Sequence, residues 1–417
     1  MRKNRRMVVV GGGLAGASAV VTMREQGFTG EVVLIGADSH APYELPPLTK
    51  QFLAGASTAD DALVRPLAFY SDHDIELRVG TEAVSLDVAG HAVVLADGSR
   101  VAYDAVLVAS GAEPRRLTVD GADLDGVVTL RTLNDAADLR DRLLAGARVV
   151  CAGAGWIGME AAATARSLGC DVTVVGREDV PLIATLGPEV GRSYRRLHEA
   201  HGVQFRMQRN VDYFRGSQRV ESVVLDDGDV LEADVVITGV GAAPRTSLLA
   251  DAGATLELRG VATDERLRTN LPDVFAAGDI AASWHPLFQQ RIRLEHWANA
   301  LYQGPCAAMN MIGGDAVYDR IPYFYSDQFD RSMEYSGHAP EWDRIVLRGS
   351  IDDEAFLAFW LDANDVMLAG MSVGPLGTTA AAIPDMEELV RLRQPVDMEK
   401  VITAPSTTIA TPAARAT

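Results

Sequence analysis

Two segments of the chain, VVVGGGLAG at Val8–Gly16 and VVCAGAGWIG at Val149–Gly158, carry the same glycine spacing directly after a β-branched run. Gly11, Gly13 and Gly16 make one G-x-G-x-x-G, and Gly153, Gly155 and Gly158 make the other. Each motif predicts a tight strand-to-helix turn. Its first glycine permits the turn, the second lets backbone approach a pyrophosphate, and the third lets the helix pack on the strand. The phosphate then meets free N–H groups and the positive end of the helix dipole. Leu14 and Ala15 fill the variable positions of the first turn, and Trp156 and Ile157 those of the second.

The flanks support both turns. Val8–Val10, Val32–Ile35 and Val106–Ala109 read as buried strands, with a helix over Ala17–Gln26. Arg148–Ala152, a helix over Met159–Leu168, and Asp171–Val175 repeat the pattern. Strands alternating with helices predict parallel, doubly wound sheets. From about Pro322 the character changes. RIVLRGS and AFLAFWL read as strands and Asp385–Arg393 as a helix, and the Ser/Thr/Ala/Pro end from Ala404 is expected to be a disordered tail.

The two strand ends differ. After the first module the next strand ends at Gly36-Ala37-Asp38, placing an acid where an adenosine ribose hydroxyl needs an acceptor. After the second it ends at Gly176-Arg177, with no carboxylate at that point. An arginine there accommodates a 2′-phosphate, so this reading favours NADPH over NADH. The alternative makes Arg177 a solvated surface charge and gives the ribose to Glu178 or Asp179. Two dinucleotide modules in one chain imply a flavin that stays and a nicotinamide that visits.

The 417 residues allow two or three domains. A 48% hydrophobic and 23% charged composition is that of a soluble globular protein. A net charge of −19 argues against nucleic-acid binding. No apolar run approaches the roughly 18 residues a membrane span needs, and the apolar run after the basic MRKNRR start is interrupted at once by glycines, unlike a signal peptide. Three scattered cysteines, Cys151, Cys170 and Cys306, suit neither a disulfide framework nor a zinc site, and a reducing cytoplasm is the expected location.

Taken together, GGGLAG, PYELPPLTK (Pro42–Lys50), YDAVLVASGAEPR (Tyr103–Arg115), LRTLNDA (Leu130–Ala136), GAGWIGMEAAATA, VFAAGDIA, RLEHWANALYQG (Arg293–Gly304) and YFYSDQFD (Tyr323–Asp330) resemble one family over nearly the whole chain. It is that of the flavoprotein ferredoxin reductases of the putidaredoxin reductase and biphenyl-dioxygenase reductase type, within the glutathione-reductase-like superfamily. The resemblance implies an α/β fold with two Rossmann-like dinucleotide-binding domains and an α+β C-terminal interface domain. The expected division is an FAD domain in two segments, 1–112 and 240–318, an NAD(P) domain over 113–239, and the interface domain over 319–403, with 404–417 the tail.

The resemblance also assigns residues. Asp38 is similar to the acid at the FAD adenosine ribose, Lys50 to the lysine near the flavin N5, and Glu160 to the glutamate that pairs with it. Pro46, Ala83, Ala109, Gly111 and Arg131 fall at further FAD positions. Gly278 and Asp279 resemble the pair that holds the ribityl and pyrophosphate region, and Trp297 the residue against the isoalloxazine ring. Gly239, Gly241 and Glu295 resemble nicotinamide-side positions. Three departures stand out: Leu45 where the family often has arginine, Gly176 for the usual acid, and Tyr325 for a common tryptophan.

No two cysteines have redox spacing, so thiol–disulfide chemistry is excluded. The implied acceptor is a small iron–sulfur ferredoxin that feeds a cytochrome P450 or other oxygenase, with the reductase a monomer or weak homodimer. An acidic ferredoxin needs a local basic patch, for which Arg65, Arg291, Arg293, Arg331 and Arg344 are candidates. His40, His73, His198, His285 and His296 read as isolated, structural or exposed. Two rival functions stay open: an NAD(P)H oxidase or rubredoxin reductase, and a redox-sensing interaction protein like apoptosis-inducing factor.

Overall fold

The computed structural model describes residues 5–403; the expected tail over 404–417 lies outside the described residues. The chain divides into two compact units. Among the described residues, one comprises those up to Pro46, Thr58–Glu113 and Ala242–Arg320, and the other Pro47–Ser57, Pro114–Gly241 and those from Ile321 on.

In the first unit the β-branched run Arg6–Val10 is the middle strand of a five-stranded parallel sheet. Glu31–Ile35 and Ile75–Arg78 lie to one side, and Ala105–Val108 and Val274–Ala276 to the other. Arg6–Val10, Glu31–Ile35, Ala105–Val108 and Val274–Ala276 are buried on both faces beyond Arg6 and Glu31, which is why their sequences are near-continuous apolar runs. The edge strand Ile75–Arg78 instead alternates apolar and charged residues and buries only Ile75. Met7, Val9, Leu34 and Leu107 pack on one side with the helix Leu14–Glu25, and Val8, Val33, Val106 and Val274 on the other. The strand Val274–Ala276 completes this sheet from far along the chain.

The second unit repeats the plan. Arg148–Ala152 pairs in parallel with Asp171–Gly176 on one side and Val235–Thr238 on the other, and Gln204–Met207 and Val127–Val128 complete the five strands. Each module also carries a three-stranded antiparallel meander, over 83–102 in the first unit and 211–232 in the second.

The expected interface domain is a five-stranded antiparallel sheet of Tyr323–Gln328, Arg331–Gly337, Met367–Pro375, Ala355–Leu361 and Arg344–Ser350, with the helix Ile383–Leu392 against it. It groups with the second dinucleotide module instead of standing apart. The short segment 47–57 joins the same unit for a clear reason: Thr164 Oγ1 donates to the Thr49 carbonyl at 2.7 Å, and Arg140 lies over the Phe52 ring at 5.1 Å.

Candidate dinucleotide sites

The two glycine turns are copies in backbone detail. Gly11 has φ 122° and Gly153 φ 120°, a region that favours glycine. The Gly11 N–H donates to the Ile35 carbonyl at 2.8 Å, and the Gly153 N–H to the Val175 carbonyl at 2.8 Å. A Cβ at Gly16 would stand 2.0 Å from the Gly11 carbonyl oxygen, and one at Gly158 2.1 Å from that of Gly153. The third glycine of each motif is therefore what brings helix and strand together.

Both helices, Leu14–Glu25 and Trp156–Ser167, begin without a side-chain cap and without an acid in the first turn. Their leading N–H groups are left for a ligand, and a dinucleotide phosphate suits them. A Cβ at Gly13 or Gly155 would meet nothing within 4 Å, so open space lies over each turn. The residues present fit two dinucleotides.

In the first unit, several predicted residues gather at the carboxyl edge of the parallel sheet, the usual ligand edge of a doubly wound fold. Gly11, Gly13, Leu14, Ala15 and Gly16 form the turn. Asp38 follows one neighbouring strand, Ala109 and Gly111 the other, and Gly278-Asp279 the strand beyond. Asp38 is firmly held: Tyr43 OH donates to its Oδ2 at 2.7 Å, and the His40 backbone N–H and Nδ1 lie 3.0 and 2.9 Å from its Oδ1. Burial works to raise the Asp38 pKa, but the bonds from Tyr43 and His40 outweigh it and leave the carboxyl below its ordinary value. His40 is thus a partner of the site rather than an isolated residue.

Trp297 opens the helix Trp297–Met311, half-buried, with Nε1 donating to Glu44 Oε2 at 3.1 Å. Gly278 donates its N–H to Gln303 Oε1 at 2.9 Å, which fixes the turn that carries the buried Asp279. Pro46 begins the short helix Pro46–Thr49, and Ala83 begins the first meander. Glu295 is paired with Arg293 at 2.7 Å.

In the second unit, Gly153, Gly155, Trp156, Ile157 and Gly158 form the turn, with Gly239 after the adjoining strand and Gly241 two residues on. Trp156 packs edge-on against Phe324, centroids 5.1 Å apart, and against Tyr194 at 6.0 Å. Arg131 lies in this unit too, its backbone N–H donating to Asp135 Oδ2 at 3.1 Å just before the Leu133–Arg142 helix.

The register bears on the two readings of this strand end. Val10 pairs with Ile35 as Ala152 pairs with Val175, so Gly36 corresponds to Gly176, Ala37 to Arg177 and Asp38 to Glu178. The next strands agree. Gly80 and Thr81 donate to the carbonyls of Asp38 and Gly36, and Gln208 and Arg209 donate to those of Glu178 and Gly176. A carboxylate therefore does stand at the place of Asp38, and it is Glu178. Arg177 is 80% exposed and spends its charge on Glu178 at 2.7 Å.

Glu160 is engaged by Lys50, Thr49 and Ser326. It is buried in the Trp156–Ser167 helix and receives Lys50 Nζ on Oε2 at 2.6 Å, both side chains 10% exposed. Thr49 Oγ1 donates to the same oxygen at 2.5 Å, and Ser326 Oγ donates to Oε1 at 2.6 Å. Lys50 Nζ also lies 5.8 Å from the Tyr325 ring centroid. A buried ion pair is favourable only when its remaining lone pairs are satisfied, as they are here. Thr49 and Ser326 were not singled out in the sequence. The only signal was the alternation of Phe324, Ser326 and Gln328 along one strand face.

The basic-patch candidates are mostly committed. Arg291 pairs with Glu257 at 2.9 Å, Arg293 with Glu295, Arg331 with Glu354 at 3.1 Å, and Arg344 with Asp365 at 2.5 Å. Arg65 is exposed and lies over Phe69. Among the described residues no helix is long and apolar enough to cross a membrane.

The chain belongs to the pyridine nucleotide-disulphide oxidoreductase family, whose pattern matches residues 5–304; a reductase C-terminal family matches residues 323–406. It is 33% identical to apoptosis-inducing factor 3 of Mus musculus over 93% of this chain, and it spans only 64% of that relative's length. Among solved structures it resembles the covalent putidaredoxin reductase–putidaredoxin complex, with 32% identity, TM-score 0.91 and 97% of each chain covered. It equally resembles the ferredoxin reductase for the CYP199A2 system from Rhodopseudomonas palustris, with 33% identity, TM-score 0.91, and 96% of this chain and 98% of that one covered. Membership of this family implies FAD and a nicotinamide coenzyme, as the paired turns do.

Proposed function

We propose that the protein is an FAD-dependent reductase that takes hydride from NADH and passes electrons singly to a small iron–sulfur ferredoxin serving a cytochrome P450 or other oxygenase. The observation that carries the reading is the pair of matched dinucleotide turns in a chain whose three cysteines are all buried and free. Bound FAD supplies the exchange between a two-electron donor and a one-electron acceptor.

The chain's own residues bind and orient. Gly11, Gly13 and Gly16 bring backbone N–H groups to the FAD pyrophosphate, and Asp38, held by Tyr43 and His40, accepts from the adenosine ribose. Asp279 and Trp297 hold the remainder of the flavin in this reading, and Lys50, paired with Glu160, is the lysine that serves its N5. In the second unit Gly153, Gly155 and Gly158 take the nicotinamide pyrophosphate, and Glu178 accepts from the ribose. Glu178, as the counterpart of Asp38, supports NADH over NADPH. The resemblance to a reductase solved with its putidaredoxin supports a ferredoxin as acceptor.

The test is NADH-driven turnover of the FAD-loaded protein with a putidaredoxin-type [2Fe–2S] ferredoxin, followed in the ferredoxin's visible absorbance. Fast ferredoxin reduction with slow reoxidation by air supports the reading. Fast reoxidation by air with an idle ferredoxin makes the protein an oxidase. Sluggish reaction with both makes it a redox-sensing interaction protein.

A further inference from the structure

Behind the Lys50–Glu160 pair a line of buried polar side chains crosses the second unit. Ser326 Oγ lies 2.6 Å from Glu160 Oε1, Gln328 Nε2 lies 3.0 Å from Ser326 Oγ, and His198 Nε2 lies 2.7 Å from Gln328 Oε1. None of the three is more than 2% exposed. Ser326 and Gln328 point the same way because they sit two apart on the Tyr323–Gln328 strand, and His198 reaches them from the Ile183–Ala200 helix.

Chemistry fixes the direction of every bond in this line. A carboxylate only accepts, so Ser326 donates its hydroxyl proton to Glu160. The Ser326 oxygen accepts from the Gln328 amide. The Gln328 carbonyl accordingly accepts from His198 Nε2–H. This leaves His198 neutral with Nδ1 bare, and Nδ1 is indeed buried with no hydrogen-bond partner. Burial pushes the His198 pKa down to about 4, against the bond from Gln328, so the neutral ring persists at physiological pH. All donors thus point toward one carboxylate, and such aligned bonds polarise and strengthen one another.

We propose that Ser326, backed by Gln328 and His198, is a positioning residue that fixes the Glu160 carboxylate and, through it, the Lys50 ammonium. The inference rests on the reading of Lys50 as the lysine that serves the flavin. With Ser326 in place, Glu160 Oε1 is anchored and Oε2 is turned to Lys50 and Thr49. Without it, the carboxylate can rotate and Lys50 loses a single defined position.

The experiment is a double-mutant cycle on the FAD-loaded protein with Ser326→Ala, Lys50→Met and the pair. Each variant is read for the midpoint potential of the bound flavin and for the rate of flavin reduction by NADH, with the melting temperature as control for folding. Ser326→Ala is expected to slow flavin reduction about tenfold, the scale of a lost hydrogen bond to a charged group, with KM little changed. It should also move the potential in the same direction as Lys50→Met. In the double variant Ser326→Ala should add nothing, and Ser326→Thr, which keeps the hydroxyl, should restore both readouts. If Lys50→Met acts and Ser326→Ala either does nothing or adds its full effect on top, the positioning role is wrong while Lys50 keeps its place. If Lys50→Met moves neither potential nor rate, the reading of Lys50 fails and the proposal falls with it.

Discussion

Asp38 and Glu178 hold the same position in two copies of one strand–turn–helix–strand device, each three residues past the last matched pair of its strand. The first carboxylate is clasped by Tyr43 and His40, and the second is held by the neighbouring Arg177. That difference suits a ligand that stays and one that comes and goes. Glu178→Ala should raise KM for NADH about tenfold, the scale of one hydrogen bond to a carboxylate, with kcat little changed. Arg177→Ala should leave the preference for NADH intact. Steady-state reduction of a dye with each coenzyme measures both. A native preference for NADPH that Arg177→Ala removes makes the arginine the selector instead.

The matched turns can be separated by adding one methyl group to each. In Gly16→Ala the new Cβ would press on the Gly11 carbonyl, and in Gly158→Ala on that of Gly153. Overpacking of this kind costs about 1–3 kcal/mol, or roughly 5- to 150-fold in affinity. Gly16→Ala is expected to purify with little flavin. Gly158→Ala should keep its flavin and show a raised KM for the nicotinamide. Flavin absorbance per chain and dye reduction tell them apart. Equal flavin loss in both would contradict the division of labour.

Much of this was legible from local pattern. The glycine turns, the strands around them, and the strands Arg344–Ser350 and Ala355–Leu361 were all read from short apolar runs and their periods. The helix near Asp385 starts two residues earlier than expected, at Ile383, because Pro384 fits a first helical turn. What stayed hidden depends on distant pairing. His198 and Gln328 are 130 positions apart, and Ser326 and Glu160 are 166 apart, so neither contact leaves a local trace. The choice among Arg177, Glu178 and Asp179 stayed open because a residue count past a strand end needs the register, which only the paired neighbours supply. The arginines looked available because sequence does not display the carboxylates folded against them.

Arg291 illustrates that last point. Its guanidinium pairs with Glu257 and donates to the carbonyls of Thr263 and Ala282, side chain 26% exposed. It ties the strand Gln290–Ile292 to its sheet, which favours a structural role over docking. Arg291→Gln should lower stability by about 1–3 kcal/mol, as expected for lost charged hydrogen bonds. The salt dependence of ferredoxin reduction should stay as in the native protein. A flattened salt dependence at native stability would return Arg291 to the docking surface.

Burial also sets the behaviour of the thiols. It pushes the Cys151 and Cys306 thiols up to about 12 and raises that of Cys170. Thiolate is the reactive form, so all three should resist iodoacetamide at pH 8 in the folded protein and react together once it unfolds. Intact-mass spectrometry counts the labels. Turnover that falls in step with labelling of a native cysteine would bring thiol chemistry back into the mechanism.

His198 gives the protein a specific sensitivity to acid. The folded ring, enclosed by Phe205, Phe329 and Gln328 with His201 nearby, titrates at about 4, against an ordinary value of 6.5. A histidine depressed in the fold takes up its proton in the unfolded chain first. Its contribution is therefore neutral to stability above pH 6.5, and stability declines as the pH falls from 6.5 toward 4. The loss from this one group approaches about 3 kcal/mol at the bottom of that window. Urea unfolding of the native protein and of His198→Gln at pH 7.5, 5.5 and 4.5 isolates it. The variant starts lower, having lost a packed ring, but the gap between the two proteins should narrow steadily with acid. A gap that stays constant across the window would mean that His198 is protonated in the fold and that the donor line to Glu160 runs otherwise.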